Sequence, residues 1–152
     1  MTYNFVLDVD GVLTSGNFMY SSEGKLYKEF GPHDSYSLNK IKDKVSIHFI
    51  SADSRGFNIT KARISDMGFE VSLVPEDERF NFIKENYGFE NLIFMGDGDA
   101  DAEVLDKAFF GIAPKNARPD ALKFANYITS NIGGQGAVAE ACDIIANQIL
   151  KT

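Results

Sequence analysis

Cysteine, tryptophan and positive charge are what this chain most lacks. Its 152 residues include one cysteine, Cys142, no tryptophan and four prolines. A lone cysteine excludes an intrachain disulfide and any cysteine cluster for zinc. Lysine and arginine total 15 against 22 aspartates and glutamates, a formal charge of −7. That balance argues against a general affinity for nucleic acid or anionic membranes, while leaving room for a small anion held by a local site. No apolar run approaches the ~20 residues of a spanning helix. The opening residues, Met-Thr-Tyr-Asn-Phe-Val-Leu-Asp, carry no basic segment and read as a first strand, not a signal peptide. A soluble cytoplasmic protein is expected.

What is present is an ordinary globular composition, 44% hydrophobic and 24% charged, with thirteen Phe and six Tyr. The length suits a single domain over 1–152. Strand-forming runs are expected at Tyr3–Leu7, Val45–Ile50, Val71–Val74, Leu92–Met95 and Phe109–Ala113. Asn17–Tyr20 and Leu26–Phe30, parted by Ser-Ser-Glu-Gly-Lys, suggest a β-hairpin. Helical patterns fall between these runs. One is expected from Asp34, as N-cap, to about Asp43, and another from Lys61 to Met67 with Gly68 closing it. A third carries Phe80, Ile83 and Tyr87, a fourth follows Asp101, and the last runs from about Ala137 with Cys142 on its apolar face. Strands alternating with helices predict an α/β, Rossmann-like fold with a parallel sheet covered on both faces.

In such sheets ligands bind beyond the carboxyl ends of the strands, and three ends here carry suggestive residues. They are Asp8-Val-Asp10-Gly-Val-Leu-Thr14, Ile50-Ser51-Ala-Asp53, and Gly96-Asp97-Gly-Asp99-Ala-Asp101. Asp8 and Asp10 can project into one space, where two carboxylates stay ionised together only with a cation or a shared proton between them. A solvated acidic turn is the bland alternative, but Asp8 directly follows three apolar residues, Phe5-Val-Leu. The Asp97/Asp99/Asp101 spacing opens like a calcium loop. Its sixth and twelfth positions, Ala102 and Ala108, are not the Gly and Glu that loop needs. Oxygen-only ligands suit Mg²⁺, which leaves coordination positions for phosphate oxygens.

Phe5-Val-Leu-Asp-Val-Asp-Gly-Val-Leu-Thr14, Ser51, and Gly96-Asp97 with Asp101 resemble the motifs of haloacid dehalogenase-type phosphatases. Lys28-Glu-Phe-Gly-Pro-His-Asp34 and Gly133-Gly-Gln-Gly-Ala-Val138, followed by Glu140-Ala-Cys-Asp143, are similar to segments of the 3-deoxy-D-manno-octulosonate 8-phosphate phosphatase subfamily. The resemblance covers nearly the whole chain. It implies a three-layer fold with a hairpin after the first strand and no cap domain, since neither Asp8–Ser51 nor Ser51–Gly96 has room for one. It implies Asp8 as nucleophile and Asp10 as general acid and base. Mg²⁺ would be held by Asp8, Asp97 and the Asp10 carbonyl, supported by Asp101. Ser51 would bind phosphate, and Arg79 (or Lys84) would stand in for the usual lysine. His33, Asp34 and Gln135 would touch substrate, a phosphorylated octulosonate or nonulosonate. A homotetramer is implied too, its hairpins meeting through Phe18, Tyr20, Tyr27 and Phe30, with each C-terminal segment reaching a neighbour's site.

The match departs from the pattern in several places. His33 and Gln135 replace cations, Gly98 replaces an acid, and the stretch from Ala52 to Gly56 is longer than usual. The lost cations favour, as a rival substrate, a neutral sugar phosphate or a nucleotide. A non-catalytic oligomerisation module is the rival from another class, and the presence of Asp8, Asp10, Ser51 and Asp97 together argues against it. His48, inside an apolar strand, reads as structural.

Overall fold

The strand that ends in Asp8 lies in the middle of the molecule because both of its faces are apolar. In the computed structural model, which describes residues 2–151, β1 (Asn4–Asp8) is flanked by β4 (Ser46–Ser51) and β6 (Leu92–Met95). With β5 (Val71–Leu73), β7 (Phe110–Ala113) and β8 (Tyr127–Ile128) they form a parallel six-stranded sheet of order β5-β4-β1-β6-β7-β8. Side chains alternate across it. Phe5 and Leu7 face one layer of helices: α1 (Asp34–Ile41), α2 (Phe57–Asp66) and α6 (Ala137–Ile144) supply Leu38, Ile64, Val138 and Ala141. Val6 faces the other, where α3 (Arg79–Asn86), α4 (Ala102–Lys107) and α5 (Pro119–Phe124) supply Ile83, Val104 and Ala121. Each large side chain fully buried this way contributes roughly 1.5–3 kcal/mol.

The chain adds β4 and β5 on one side of β1, then returns to add β6, β7 and β8 on the other. Its direction of growth reverses beside β1, which creates a crevice at the carboxyl ends of β4, β1 and β6. The register brings those ends level, with Asp8 paired to Ile50 and Leu7 to Met95. The expected hairpin is there as β2 (Thr14–Ser21) and β3 (Gly24–Phe30), a separate antiparallel pair. No helix of the described residues is long and apolar enough to cross a membrane.

Several local expectations need correcting. Asp34 does not cap its own helix: His33 holds the N-cap position, and the Asp34 carboxylate crosses to accept the Ala139 N–H at 3.0 Å. Helix α2 starts four residues before Lys61, at Phe57, because Asp53 Oδ1 accepts the Gly56 N–H and organises the turn before it. Helix α5 and strand β8 carry no pattern to predict them, being six and two residues long. Phe30 packs against the chain's own core and is not an exposed hairpin residue. Cys142 is buried in the core and His48 stacks on Tyr87 at 4.6 Å, both structural as expected.

Candidate active site

Beyond β1 the chain turns sharply: the Val9 carbonyl accepts the N–H groups of Val12, Leu13 and Thr14 at 2.8–3.1 Å. Gly11 makes the turn with φ +84°, and a Cβ there would overlap the Asp97 carboxylate. Only glycine fits both demands. Thr14 Oγ1 accepts the N–H of Gly11 and Gly16, fixing the loop from within. From below, Asn116 donates to the Gly11 carbonyl at 3.0 Å and accepts the Gly133 N–H at 2.8 Å. The glycine-rich segment therefore supports the Asp8–Thr14 loop from its outer side. A Cβ on Gly133 would strike the carbonyls of Gly11 and Thr14.

Three carboxylates, Asp8, Asp97 and Asp101, and one arginine, Arg79, converge at this crevice. Asp8 is 8% exposed and Asp101 1%. Asp101 Oδ2 accepts the N–H groups of Asp97 and Gly98 at 3.0 and 2.9 Å, and its Oδ1 accepts Arg79 Nη1 at 2.6 Å. Arg79 Nη2 donates to Asp8 Oδ1 at 3.2 Å. Burial pushes the carboxyl of Asp8 well above its ordinary value, with Asp101 and Asp97 adding to the effect against Arg79. Asp97 is also raised, again chiefly by burial. Burial works against the Arg79 charge, but Asp8 and Asp101 outweigh it and hold the guanidinium ionised. Oxygens of Asp8, Asp97 and Asp101 lie within 4.8 Å of one another. Two carboxyls pushed toward protonation beside a single cation make a hard-oxygen set suited to a divalent ion.

These residues line a cavity of about 510 Å³, together with Asp10, Lys25, Asp53 and Glu76. Ser51 lies at the end of β4, 1% exposed, and its Oγ accepts the Asp53 N–H at 3.2 Å. Its hydroxyl proton remains to donate. Lys84 is exposed on α3, so Arg79, not Lys84, is the cation that this helix delivers to the cavity.

Sequence reasoning missed the cations of the hairpin. Lys25 Nζ lies 2.7 Å from Asp53 Oδ2, and Lys28 Nζ lies 2.8 Å from the same oxygen and 2.9 Å from Asp10. Burial opposes ionisation of Asp53, yet hydrogen bonds from Lys25 and Lys28 hold its carboxyl far below its ordinary value. Strict alternation would put Lys25 and Lys28 on opposite faces of β3. The register shows an extra residue instead, with Met19 opposite Tyr27 but Tyr20 opposite Lys25. Such a bulge resets the alternation and turns both lysines to one face.

The expected substrate residues fall elsewhere. Asp34 is 1% exposed and its Oδ1 accepts an N–H at the start of α6. Its Oδ2 is buried without a hydrogen-bond partner among the described residues, and Asp34 does not line the Asp8 cavity. His33 and Gln135 line a second cavity of about 500 Å³ with Asn131, Glu140 and Asp143, and neither lines the Asp8 cavity.

Residues 81–141 match the haloacid dehalogenase-like hydrolase family, a class of enzyme with which the fold and this constellation agree. Within that class the chain is similar to the 3-deoxy-D-manno-octulosonate 8-phosphate phosphatases. It is 27% identical over 146 residues to that enzyme of Escherichia coli, covering 92% of this chain and 77% of the relative. The crystal structure of the Moraxella catarrhalis enzyme, solved with magnesium, phosphate and KDO, matches with a TM-score of 0.84. Identity there is 27%, with 96% of this chain and 86% of that one covered. The cobalt-bound Haemophilus influenzae enzyme gives 0.82 at 26% identity, over 96% and 88% of the two chains.

Proposed function

We propose that this chain is a Mg²⁺-dependent phosphatase that hydrolyses the phosphate monoester of a sugar acid through an aspartyl-phosphate at Asp8. The substrate class is 3-deoxy-octulosonate 8-phosphate or a nonulosonate 9-phosphate. The observation that carries the reading is the convergence of Asp8, Asp10, Arg79, Asp97 and Asp101 on one cavity at the strand-reversal point. Asp8, Asp97 and the Asp10 carbonyl would hold the ion, with Asp101 anchoring the Asp97 backbone. When bound, it supplies positive charge that keeps the buried carboxylates ionised and polarises a phosphoryl oxygen.

An Asp8 oxygen attacks phosphorus, and the bond from phosphorus to the sugar oxygen breaks. Asp10 delivers its proton to that departing oxygen. It then takes a proton from the water that attacks the phosphorus of the acyl phosphate, and the bond to Asp8 breaks. Arg79 holds Asp8 by its Oδ1 and adds charge beside the incoming phosphate. Ser51 donates its hydroxyl to a phosphoryl oxygen. The cavity has no cap, so a neighbouring chain closes it. Phe18, Met19, Tyr20, Leu26 and Tyr27 of the hairpin are 48–67% exposed, an apolar face suited to a homotetramer. In that assembly His33 and Gln135 serve a neighbour's cavity.

The test is phosphate release from a panel of sugar-acid, neutral-sugar and nucleotide monophosphates, with and without Mg²⁺. Selective, metal-dependent release from the sugar-acid phosphates is expected. Preference for a neutral sugar or nucleotide would replace the substrate assignment, and no release from any member would refute the enzyme reading in favour of an oligomerisation module.

A further inference from the structure

Resting on the proposed function, we infer that Lys28 is a positioning residue that aims the Asp10 carboxyl at the leaving oxygen. Lys28 belongs to the hairpin, outside the strand-end motifs that supply the reacting groups. Its side chain is 1% exposed. An ammonium group has three N–H donors, and here each meets an acceptor: Asp10 at 2.9 Å, Asp53 Oδ2 at 2.8 Å and Thr60 Oγ1 at 2.9 Å. These acceptors come from three places, the loop after β1, the loop after β4, and helix α2. The ammonium is therefore fixed from three directions. A buried lysine whose donors are all satisfied cannot swing without leaving a charge unpaired, which is costly.

Asp10 is otherwise free to turn. Its side chain is 37% exposed, and among the described residues Lys28 is its ion-pair partner. The last torsion of an aspartate is broad and weakly restrained by sterics. Proton transfer needs the carboxyl within hydrogen-bond reach of the departing oxygen, and an error of about 1 Å can cost ~10²-fold in rate. Lys28 supplies the missing restraint and ties the reacting carboxyl to the hairpin. Asp53 has a part in this as well. It takes Lys25 and Lys28 on one oxygen, so Lys28 stays paired when Asp10 becomes neutral in the catalytic cycle.

The experiment compares kcat/KM for a sugar phosphate, whose alkoxide leaves poorly, with that for p-nitrophenyl phosphate, whose phenolate needs no proton. This parameter reports steps up to formation of the acyl phosphate, so it isolates the acid role of Asp10. Asp10→Asn sets the reference pattern. Lys28→Met is expected to lower kcat/KM for the sugar phosphate by about 10²-fold and that for the aryl ester by about threefold or less, through kcat and not KM. Thr60→Val, which keeps the charge and removes one anchor, is expected to show the same selectivity at smaller size. It carries the comparison if Lys28→Met does not fold by circular dichroism. Equal losses on both esters, or no loss, would overturn the inference. Failure of the wild type to turn over either ester in Mg²⁺ would instead refute the proposed function, and the inference with it.

Discussion

Replacing Arg79 by methionine removes one cation from a cluster of buried carboxylates and leaves the volume nearly unchanged. Its side chain is 4% exposed and bonds Asp101 at 2.6 Å and Asp8 at 3.2 Å. Taking one partner from a buried ion pair typically costs about 3–5 kcal/mol, because the remaining charge is stranded. At about 2–4 °C per kcal/mol for a chain of this size, the expected fall in Tm is roughly 6–20 °C. The assay is thermal unfolding by circular dichroism at pH 7.5 in a chelator. Saturating Mg²⁺ should recover part of the loss, since it restores positive charge among the same oxygens and binds the folded state alone. Arg79→Lys, which keeps the charge without the two-pronged geometry, should fall between. A Tm within about 3 °C of wild type for Arg79→Met would refute the view that this arginine balances the site.

Three further outcomes are expected. Gly11→Ala meets both the positive φ and the Asp97 carboxylate, so it should weaken Mg²⁺ binding at least tenfold by titration calorimetry; unchanged affinity would contradict that geometry. Asp34→Ala removes the acceptor for the Ala139 N–H and should cost about 1–2 kcal/mol in urea unfolding with KM unchanged. A raised KM without loss of stability would place Asp34 at the substrate. The folded carboxyl of Asp8 is raised above 3.8, so its contribution to stability is full below that value and is lost as pH rises through the folded one. Without metal, Asp8→Asn should therefore melt higher than wild type near neutral pH. The gap should close as pH falls toward 3.8, and a lower Tm for the variant at neutral pH would contradict the assignment.

The centre of the parallel sheet was legible because β1 and β6 carry unbroken apolar runs, and the crevice because acids lie at or within two residues of the ends of β1, β4 and β6. What escaped had a different physical origin. Lys25 and Lys28 share a face only through a bulge at the hairpin, which period-two reasoning does not contain. Asp34 looks like a helix cap and is one, but for α6, a hundred residues further along the chain, a tertiary pairing that local pattern cannot carry. The link from Asn116 to Gly11 and Gly133 is likewise made only in the folded chain. Cations reach the site from the hairpin, through Lys25 and Lys28, and not from positions 33 and 135, which line a different cavity.

The central claim is that Asp8 becomes phosphorylated, and trapping that species tests it most directly. Protein mixed with Mg²⁺ and a turned-over sugar phosphate, quenched and treated with borohydride, should yield homoserine at position 8 on peptide mass spectrometry, and none without metal or in Asp8→Asn. Label at another residue, or full turnover by Asp8→Asn, would contradict the account.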